Sequence, residues 1–401
     1  MKGYKMKKSL LALAVAAVAA SSVASAATVY DKDGTSLAVY GRMQAVVYSG
    51  HASNKIGNSY QDTGLQGSGR LGFDMRTQLT DGIAAFAKAE WDVADNGERT
   101  GSRDDDSFGS RYLWVGVDFG QFGQVKFGRF EDAVKYVLLP TDIGYADDFD
   151  CQGQMDNDDK RDGNIMYTWS GYGFTVNANY QTAKDHQQVD GAWFAGAGEK
   201  LDIDNAYGIS VGYQSPDVLF GPIGIRLGYA GAQFQDEGGM VTPSNPSGDV
   251  WLGDATAAYD KYNQYAASIY WGNLNAVSGP FIAAMYQVRD FTMKNGFEDY
   301  KVQGAEFMVG YGFECGVSAV VGYNWMNIDQ DGANGVDVDA SVIPVAVNYQ
   351  ITPNFQVWAE ARFDAGTDDD AAVNNVKRNF DEVAGTYNTE NVYSLGARYT
   401  F

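Results

Sequence analysis

The amino-acid sequence predicts an all-β chain that closes into a membrane-spanning antiparallel barrel. Three observations support this prediction. Apolar and polar residues alternate along many segments, these segments are long, and the connections between them are alternately short and long. The composition agrees, because 48 glycines and a 14% share of aromatic residues accompany only 8 prolines, and aromatic residues favour strands over helices.

The first observation is an alternation with a period of two, which places successive side chains on opposite faces of a strand. One face of each segment is apolar, and the other is polar or charged. In the first such segment Leu37, Val39 and Met43 alternate with Tyr40 and Arg42. Further segments of this kind begin near residues 70, 83, 355 and 393.

The other two observations separate a barrel from a soluble sandwich, whose strands also alternate. Several alternating runs reach ten or more residues, whereas an ordinary strand has about 5–6. Tight turns and long polar loops also take turns along the chain, which is typical of outer-membrane barrels. The tight turns lie at 80–82, 120–123, 170–173, 314–316 and 352–354, and the long loops at 50–66, 131–160, 184–203, 235–259 and 367–388. Counting the segments between these connections predicts sixteen strands.

A lipid bilayer gives the physical reason for this pattern. Every backbone N–H and C=O group in hydrocarbon needs a partner, so a sheet there must close on itself. The outer face then meets lipid and is apolar, whereas the inner face meets water and can carry charge, because a barrel of this size keeps an aqueous lumen. Aromatic residues near strand ends suit the two interfacial girdles. They are Tyr48, Trp91, Trp271, Tyr311, Trp325, Tyr399 and Phe401.

Two segments fit the barrel less easily. Pro344 lies within an alternating run, and a closed barrel has no free edge that tolerates a missing N–H. We therefore expect Pro344 at the extracellular end of its strand or at a bulge. In residues 111–119 both faces are apolar, which indicates either a bulge near Gly116 or burial beneath a loop that folds inward.

Residues 1–26 have the pattern of a cleaved secretory signal peptide. A lysine-rich start precedes an apolar run at 10–20, and Ala24, Ser25 and Ala26 provide a small-residue cleavage site. The apolar run is shorter than the roughly 20 residues that a membrane-spanning helix needs. We therefore expect an exported barrel domain at 27–401, located in a bacterial outer membrane.

Charge and the scarcity of reactive residues exclude other classes of protein. The formal net charge of −22 argues against a nucleic-acid partner, because phosphate binding requires an excess of Lys and Arg. Cys151, Cys315, His51 and His186 are too far apart in sequence to form a metal site, so neither a metal nor another cofactor is expected. An outer-membrane hydrolase is the enzymatic alternative, but no nucleophile can be placed beside His186. The sequence therefore does not predict an enzyme.

Several motifs resemble the trimeric general porins of Gram-negative outer membranes. Residues 27–34 followed by 37–42 are similar to the first strand of that family, and residues 68–73 resemble its second strand. Arg111 at the start of the fourth strand, residues 127–129 before the long loop, and the terminal strand at 395–401 match as well. The resemblance covers the whole exported chain and weakens between about residues 184 and 301.

This resemblance implies that the third extracellular loop, residues 131–160, folds into the barrel and narrows it. Acidic residues of that loop would face a ladder of basic residues on the opposite wall. By motif position the basic residues are Arg42, Arg70, Arg111 and Arg161, and the acidic candidates are Asp142, Asp147, Asp148 and Asp150. The Pro-Glu-Phe-Gly-Gly turn of the family is absent, and Asp142 is the best single candidate. Alternation independently directs Arg42 and Arg70 into the lumen.

The predicted function is a water-filled channel for the passive diffusion of ions and small hydrophilic solutes. Acidic loops and the negative net charge predict a mild preference for cations. The alternative is a mainly structural or adhesive outer-membrane barrel with a closed lumen. The expected partners are two further copies in a homotrimer, outer-membrane lipids and lipopolysaccharide. The homotrimer follows mainly from the resemblance, and small outward residues would allow close packing between walls: Gly41, Ala45, Ala85, Ala87 and Ala89.

Overall fold

A computed structural model of the 401-residue chain describes most of the exported part. The described residues are 26–49, 55–56, 59–60, 63–94, 108–144, 160–192, 194, 200–235, 255–273, 278–294, 296–332, 335, 337–366 and 391–401. Residues 1–25 lie outside them, so the signal peptide at 1–26 and the domain boundary behind it stay predictions.

The described residues form an antiparallel barrel of sixteen strands, which confirms the predicted fold class. In chain order the strands are β1 (Thr35–Ser49), β2 (Thr63–Thr80), β3 (Ile83–Ala94), β4 (Phe108–Asp118), β5 (Gln124–Glu131), β6 (Lys160–Gly171), β7 (Phe174–Gln181), β8 (Lys200–Val218), β9 (Gly221–Phe234), β10 (Tyr259–Gly272), β11 (Gly279–Met293), β12 (Tyr300–Gly312), β13 (Val317–Gln330), β14 (Asp337–Thr352), β15 (Phe355–Asp364) and β16 (Val392–Thr400).

The barrel closes where β16 pairs with β1, with Thr400 opposite Arg42. Two short strands extend this sheet without adding to its circumference. The N-terminal strand Ala27–Lys32 pairs with the beginning of β1 and so continues the position that β16 occupies further along. The strand Lys184–Gln188 continues β7 and pairs with the beginning of β8. Closure leaves no open edge, as hydrocarbon requires.

Helical structure is minor in the described part of the chain. A single α-helical turn, α1, spans Lys135–Leu138, and two 3-10 helices span Gly120–Phe122 and Ala255–Ala258. A small hairpin pairs Lys55–Ile56 with Ser59–Tyr60 outside the barrel sheet. Among the described residues, none of the helices has both the length and the apolar character needed to cross a membrane.

Exposure along the strands is the reverse of that in a soluble protein. In β8, Ile209 and Val211 are exposed on the outer face, whereas Ser210 between them is buried on the inner face. Arg226 of β9 is likewise buried between exposed Ile225 and Leu227. An apolar outer surface that runs around the whole sheet requires a lipid environment, because soluble monomers rarely expose contiguous patches of this size.

The tight turns lie where the sequence places them, on a single rim of the barrel. Asp81 and Gly82 connect β2 to β3, and Gly316 ends the turn between β12 and β13. Gly82 has φ 87° and Gly316 has φ 86°, a left-handed conformation that favours glycine. Most connections on the opposite rim are long, with 294–299 and 331–336 as the short ones, which identifies that rim as the extracellular one.

The expectation for Pro344 is wrong. Pro344 lies in the middle of β14, opposite Arg362 of β15, and the register between these strands continues through it without a bulge. On its other side, the pairing with β13 is interrupted between Val345 and Val342 and then resumes in the same register. The barrel therefore accepts the missing N–H as a local gap in one ladder rather than as the end of a strand.

Strand β4 contains a bulge, but at Arg111 and not near Gly116. Glu90 of β3 pairs with Tyr112, and the next residue, Trp91, pairs with Ser110, so Arg111 is the extra residue. The second expectation also holds in part, because Tyr112 and Trp114 pack against a buried cluster at the beginning of the third loop. The apolar character of both faces thus has two causes, lipid outside and the loop inside.

The sequence predicted an inner face that meets water, but the inner face is not uniformly hydrated. The largest buried apolar cluster of the described residues lies inside the barrel, near the extracellular ends of β8 to β14. A segment of the loop between β7 and β8 covers this part of the wall. Water therefore meets only part of the inner surface, and the interior is divided into a covered side and an open side.

Candidate functional site

The third loop enters the lumen directly after β5. Asp132 forms an ion pair with Arg161 of β6, and both side chains are almost fully buried. Asp132 also accepts a hydrogen bond from the backbone N–H of Val134 at 2.6 Å, which turns the chain inward. Arg161 donates a second hydrogen bond to Gln181 of β7 at 2.8 Å. These contacts fix the start of the loop to two neighbouring strands.

Helix α1 then lies against the inner wall formed by β9 to β11. Val134, Val137 and Leu138 form a buried apolar cluster with inward residues of β9, β10 and β11. Two polar contacts fix the backbone of the loop there. Arg226 donates to the Tyr136 carbonyl oxygen at 2.6 Å, and the Ser268 hydroxyl donates to the Val137 carbonyl oxygen at 2.6 Å. The third loop is therefore folded into the lumen and held at its beginning and along α1.

Small residues on the wall make this approach possible. A Cβ atom at Gly212 would lie 2.6 Å from the Tyr136 hydroxyl oxygen, and one at Gly228 would lie 2.7 Å from a Val137 methyl group. Real Cβ atoms do not approach other heavy atoms so closely. Glycine at these inward positions thus provides the space in which the loop lies against the sheet.

The opposite wall carries a cluster of charged side chains on β1 to β4. Asp92 of β3 accepts hydrogen bonds from Arg70 of β2 at 2.9 Å and from Arg111 of β4 at 2.7 Å. Glu90 accepts from Arg111 at 3.1 Å and from the Tyr40 hydroxyl at 2.8 Å. Two carboxylates therefore hold two guanidinium groups against the inner wall.

Arg42 lies in the same cluster but differs from Arg70 and Arg111 in its contacts. It is within electrostatic reach of Arg70, Arg111 and Arg398, and of the Asp92 carboxylate. Among the described residues, however, no carboxylate or hydrogen-bond acceptor contacts the Arg42 guanidinium. Arg398 of β16 bonds to Gln44 and lies over the Trp358 ring. The cluster therefore has more positive than negative groups, and all four of its arginines are half-buried.

The structure separates the predicted basic residues into two groups. It brings Arg42, Arg70 and Arg111 together on one wall. Arg161 lies elsewhere: only 1% of its side chain is exposed, and it is bound to Asp132 at the beginning of the loop. In this position the Arg161 guanidinium contacts the beginning of the loop, and its predicted role in the constriction stays a prediction.

Of the predicted acidic residues, only Asp142 is among the described ones. Its carboxylate lies 3.0 Å from the Lys135 ammonium of α1, and 36% of its side chain is exposed. Asp147, Asp148 and Asp150 lie outside the described residues. The loop thus presents at least one half-exposed carboxylate, partly neutralised by a lysine of the same loop.

Comparison with known proteins decides the family. The model of the Gram-negative porin family matches residues 12–370 of this sequence. The chain belongs to that family. It is 25% identical over 409 residues to the outer membrane porin OmpD of Salmonella typhimurium strain SL1344, an alignment that covers 99% of this chain and 97% of the relative. The outer membrane porin PhoE of Enterobacter cloacae is 26% identical over 370 residues, covering 91% and 95%.

Solved structures show the same fold. An OmpF porin of Salmonella typhi, solved with daunomycin, has a TM-score of 0.67 at 16% identity and covers 94% of this chain and 100% of its own. An anion-selective porin of Comamonas acidovorans has a TM-score of 0.60 at 16% identity, covering 92% and 100%. This porin is therefore a protein of the Gram-negative outer membrane, which it crosses many times by strands.

Sequence reasoning missed several residues of the site in this porin. Glu90 and Asp92 alternate with outward residues of β3, and Arg398 alternates with outward residues of β16. The alternation of side chains along a strand therefore predicts that all three point inward. The anchoring role of Arg226 had no such signal, because its partner is a backbone carbonyl 90 residues away. Only a three-dimensional structure brings such a pair together.

Proposed function

We propose that this porin forms a water-filled channel for the passive diffusion of ions and small hydrophilic solutes. The observation that carries the proposal is the part-exposed charge on the open side of the lumen. There the side chains of Arg70 and Asp92 are 22% and 31% exposed. Charged groups at this depth in the bilayer retain water only when an aqueous path reaches them.

Facing charges give the opening a transverse electric field. The arginine cluster lies on β1, β2, β4 and β16, whereas the third loop lies against β9 to β11. At physiological ionic strength the Debye length is about 8 Å, comparable to a narrow opening, so these charges act across it with partial screening. Such a field orients dipolar solutes and disfavours apolar ones, which must displace oriented water.

A mild cation preference is the finer part of the proposal. The formal net charge of −22 and the acidic third loop support it. The arginine cluster acts in the opposite direction, because its four guanidinium groups exceed its two carboxylates. We propose that the loop carboxylates, Asp142 together with Asp147, Asp148 and Asp150, outweigh this local excess.

A homotrimer is proposed as the assembled state. A Vibrio cholerae OmpT in trimer form shares the fold, with a TM-score of 0.61 at 16% identity. The small outward residues Ala85, Ala87 and Ala45 of β3 and β1 would let barrel walls pack closely. Outer-membrane lipids and lipopolysaccharide are the proposed surroundings of the remaining apolar surface.

A closed, mainly structural or adhesive barrel is the second candidate, and one observation favours it. The inward side chains of Gln287, Asn324 and Glu306 are at most 2% exposed. Loops therefore fill one side of the lumen. The choice between the two candidates depends on whether the other side stays open.

Recordings from purified protein in planar bilayers test the proposal. Stepwise, ion-permeable conductance is expected, with a reversal potential in a salt gradient that indicates weak cation preference. Silence at high protein concentration would favour the closed barrel. Conductance with an anion-directed reversal potential would keep the channel and reject the cation preference. Mass measurement of the detergent-extracted complex tests the trimer separately.

A further inference from the structure

The loop between β7 and β8 also enters the lumen. Its described inward part, residues 189–192 and Phe194, is here named the fourth-loop insert. Val189 and Ala192 have no exposed surface, although surface loops normally stay hydrated. They belong to the large apolar cluster that lines β8 to β14 near the extracellular rim.

The wall beneath the insert is apolar on its inner face. Inward positions of β10 to β12 carry Tyr259, Phe291 and Tyr300 in place of the polar residues found deeper in the barrel. The rings of Phe291 and Tyr300 stack at 4.6 Å with an interplanar angle of 5°, and Phe194 of the insert lies 4.6 Å from the Tyr300 ring. Water facing such a wall would be unfavourable, so the insert removes a large apolar area from water.

Hydrogen bonds satisfy the backbone of the insert in this position. The Tyr300 hydroxyl donates to the Gly191 carbonyl oxygen at 2.8 Å, and the Tyr259 hydroxyl donates to the Phe194 carbonyl oxygen at 2.9 Å. A buried carbonyl without a partner is costly, and these two donors remove that cost. The two tyrosines therefore bind this particular backbone conformation.

A buried ion pair beside the aromatic rings also holds the insert. Arg289 of β11 is 1% exposed and lies 2.8 Å from the Asp190 carboxylate. It also donates to the Asp190 carbonyl oxygen at 3.0 Å. Gly191 has φ 93°, and a Cβ atom there would lie 3.2 Å from both Arg289 and the Phe291 ring. The fit between insert and wall is thus tight at the ion pair.

We propose that the fourth-loop insert is a second constriction, on the extracellular side of the third loop, which limits the size of solutes that enter. The proposal rests on the proposed diffusion channel. Its geometry follows from two loops lying on the same side of the lumen, the third against β9 to β11 and the insert against β8 to β14. A solute then passes two successive narrowings, and Arg289 and Asp190 position the outer one.

The position of the fourth-loop insert and its effect on the size of permeating solutes can be tested separately. A reporter cysteine at Val189, in a background with Cys151→Ser and Cys315→Ser, measures whether the insert is enclosed. Labelling by a membrane-impermeant maleimide should be slow. Adding Arg289→Gln should accelerate it by about tenfold or more, because loss of a buried charge partner favours local opening. Rapid labelling without Arg289→Gln would overturn the inserted position.

Selectivity is measured by the swelling of liposomes in sugars of increasing size. Arg289→Gln and Gly191→Ala should both admit larger sugars than the unchanged porin and raise its single-channel conductance. Gly191→Ala removes no charge, so agreement between the two variants points to position rather than electrostatics. Arg76→Gln is the matched control, since Arg76 pairs with Asp118 at 2.8 Å near the opposite rim and lies far from the insert. It should leave the size limit unchanged.

The outcomes distinguish this inference from the proposed function. Silence of every variant would reject the channel and the second constriction together. Conductance with the same size limit in the unchanged porin, Arg289→Gln and Gly191→Ala would reject only the constriction. Thermal unfolding in detergent verifies that each variant has kept its barrel, and a variant that has lost it is replaced by Asp190→Asn.

Discussion

The two sides of the barrel interior have the same alternation of inward and outward residues, but their inner faces meet different surroundings. On β1 to β4 several inward residues are charged, and the side chains of Arg70 and Asp92 are 22% and 31% exposed. On β8 to β14 the inward residues are covered by two loops, and Gln287 and Asn324 have no exposed surface. Both sides present apolar residues to lipid, so the difference lies only in what meets the inner face.

This contrast separates solvent-facing charge from anchoring charge. Arg70 and Arg111 share the Asp92 carboxylate on the open side, where Arg70 and Asp92 stay partly exposed to water. Arg161 and Arg289 are enclosed, and each is bound to a carboxylate of an inserted loop. Removing a partner from such an enclosed pair is costly. Arginines of the open side are therefore expected to control permeation, and those of the covered side to control loop position.

The largest effect is expected from Asp132→Ala. It removes the carboxylate that binds buried Arg161 and the acceptor that turns the chain at Val134. Loss of one partner of a buried ion pair typically costs about 3–5 kcal/mol. Thermal and denaturant unfolding in detergent should show a loss of this order.

A double variant provides the control for this prediction. Asp132→Ala combined with Arg161→Met removes both charges and should recover part of the lost stability, because the uncompensated buried charge is gone. If Asp132→Ala unfolded like the unchanged porin, the beginning of the loop would not be held by this pair.

A smaller loss of stability is expected from a change at β9, where Arg226 contacts the third loop. Arg226→Ala removes the donor to the Tyr136 carbonyl and the guanidinium group that lies 4.2 Å above the Tyr136 ring. Charged hydrogen bonds contribute about 1.5–3 kcal/mol. The loop should become mobile, which single-channel recordings would show as increased current noise and frequent changes of conductance.

Ser268→Ala is the matched comparison on the neighbouring strand. It removes only a neutral hydrogen bond to the Val137 carbonyl, with a contribution of about 0.5–1.5 kcal/mol. Its recordings should therefore be quieter than those of Arg226→Ala. Equal noise in the two variants would contradict a special role for the guanidinium group.

On the open side, Arg42→Gln should change permeation and leave stability nearly unchanged. Among the described residues its guanidinium group has no carboxylate to lose, so unfolding should shift by no more than about 0.5 kcal/mol. Removing one positive charge from the cluster should move the reversal potential toward cations. The shift should shrink at about 1 M salt, where the Debye length is only about 3 Å.

The fold was readable from the sequence because lipid imposes a regular rule on every strand. The turns and loops between the alternating segments predicted the sixteen strands, and alternation predicted the inward orientation of Arg42 and Arg70. It could not predict Arg111, which adjoins the inward residue Tyr112 and faces the lumen only because a bulge adds one residue to β4. The resemblance to known porins predicted an inward Arg111, and its contacts with Glu90 and Asp92 place it on the inner wall, whereas residue spacing alone would have directed it to lipid.

The covered side was harder to predict for a different physical reason. A loop that packs on the inner wall replaces polar inward residues by apolar ones, and this removes the very alternation that reveals a strand. Inward Val302 and Met326 show such replacements near the extracellular rim. The signal was present as strands with two apolar faces, but the loop that covers them lies far away in sequence.

The smallest effect is expected from Asp142→Asn, at the boundary between the two sides. Asp142 is 36% exposed and lies 3.0 Å from the largely buried Lys135, and asparagine would keep a hydrogen-bond acceptor for that ammonium group. Stability should therefore stay nearly constant, while the loop loses the negative charge that partly neutralises Lys135. Cation preference should decrease, in the direction opposite to Arg42→Gln. If the reversal potential did not change, Asp142 would lie outside the permeation path, and the acidic side of the opening would belong to residues 147–150 alone.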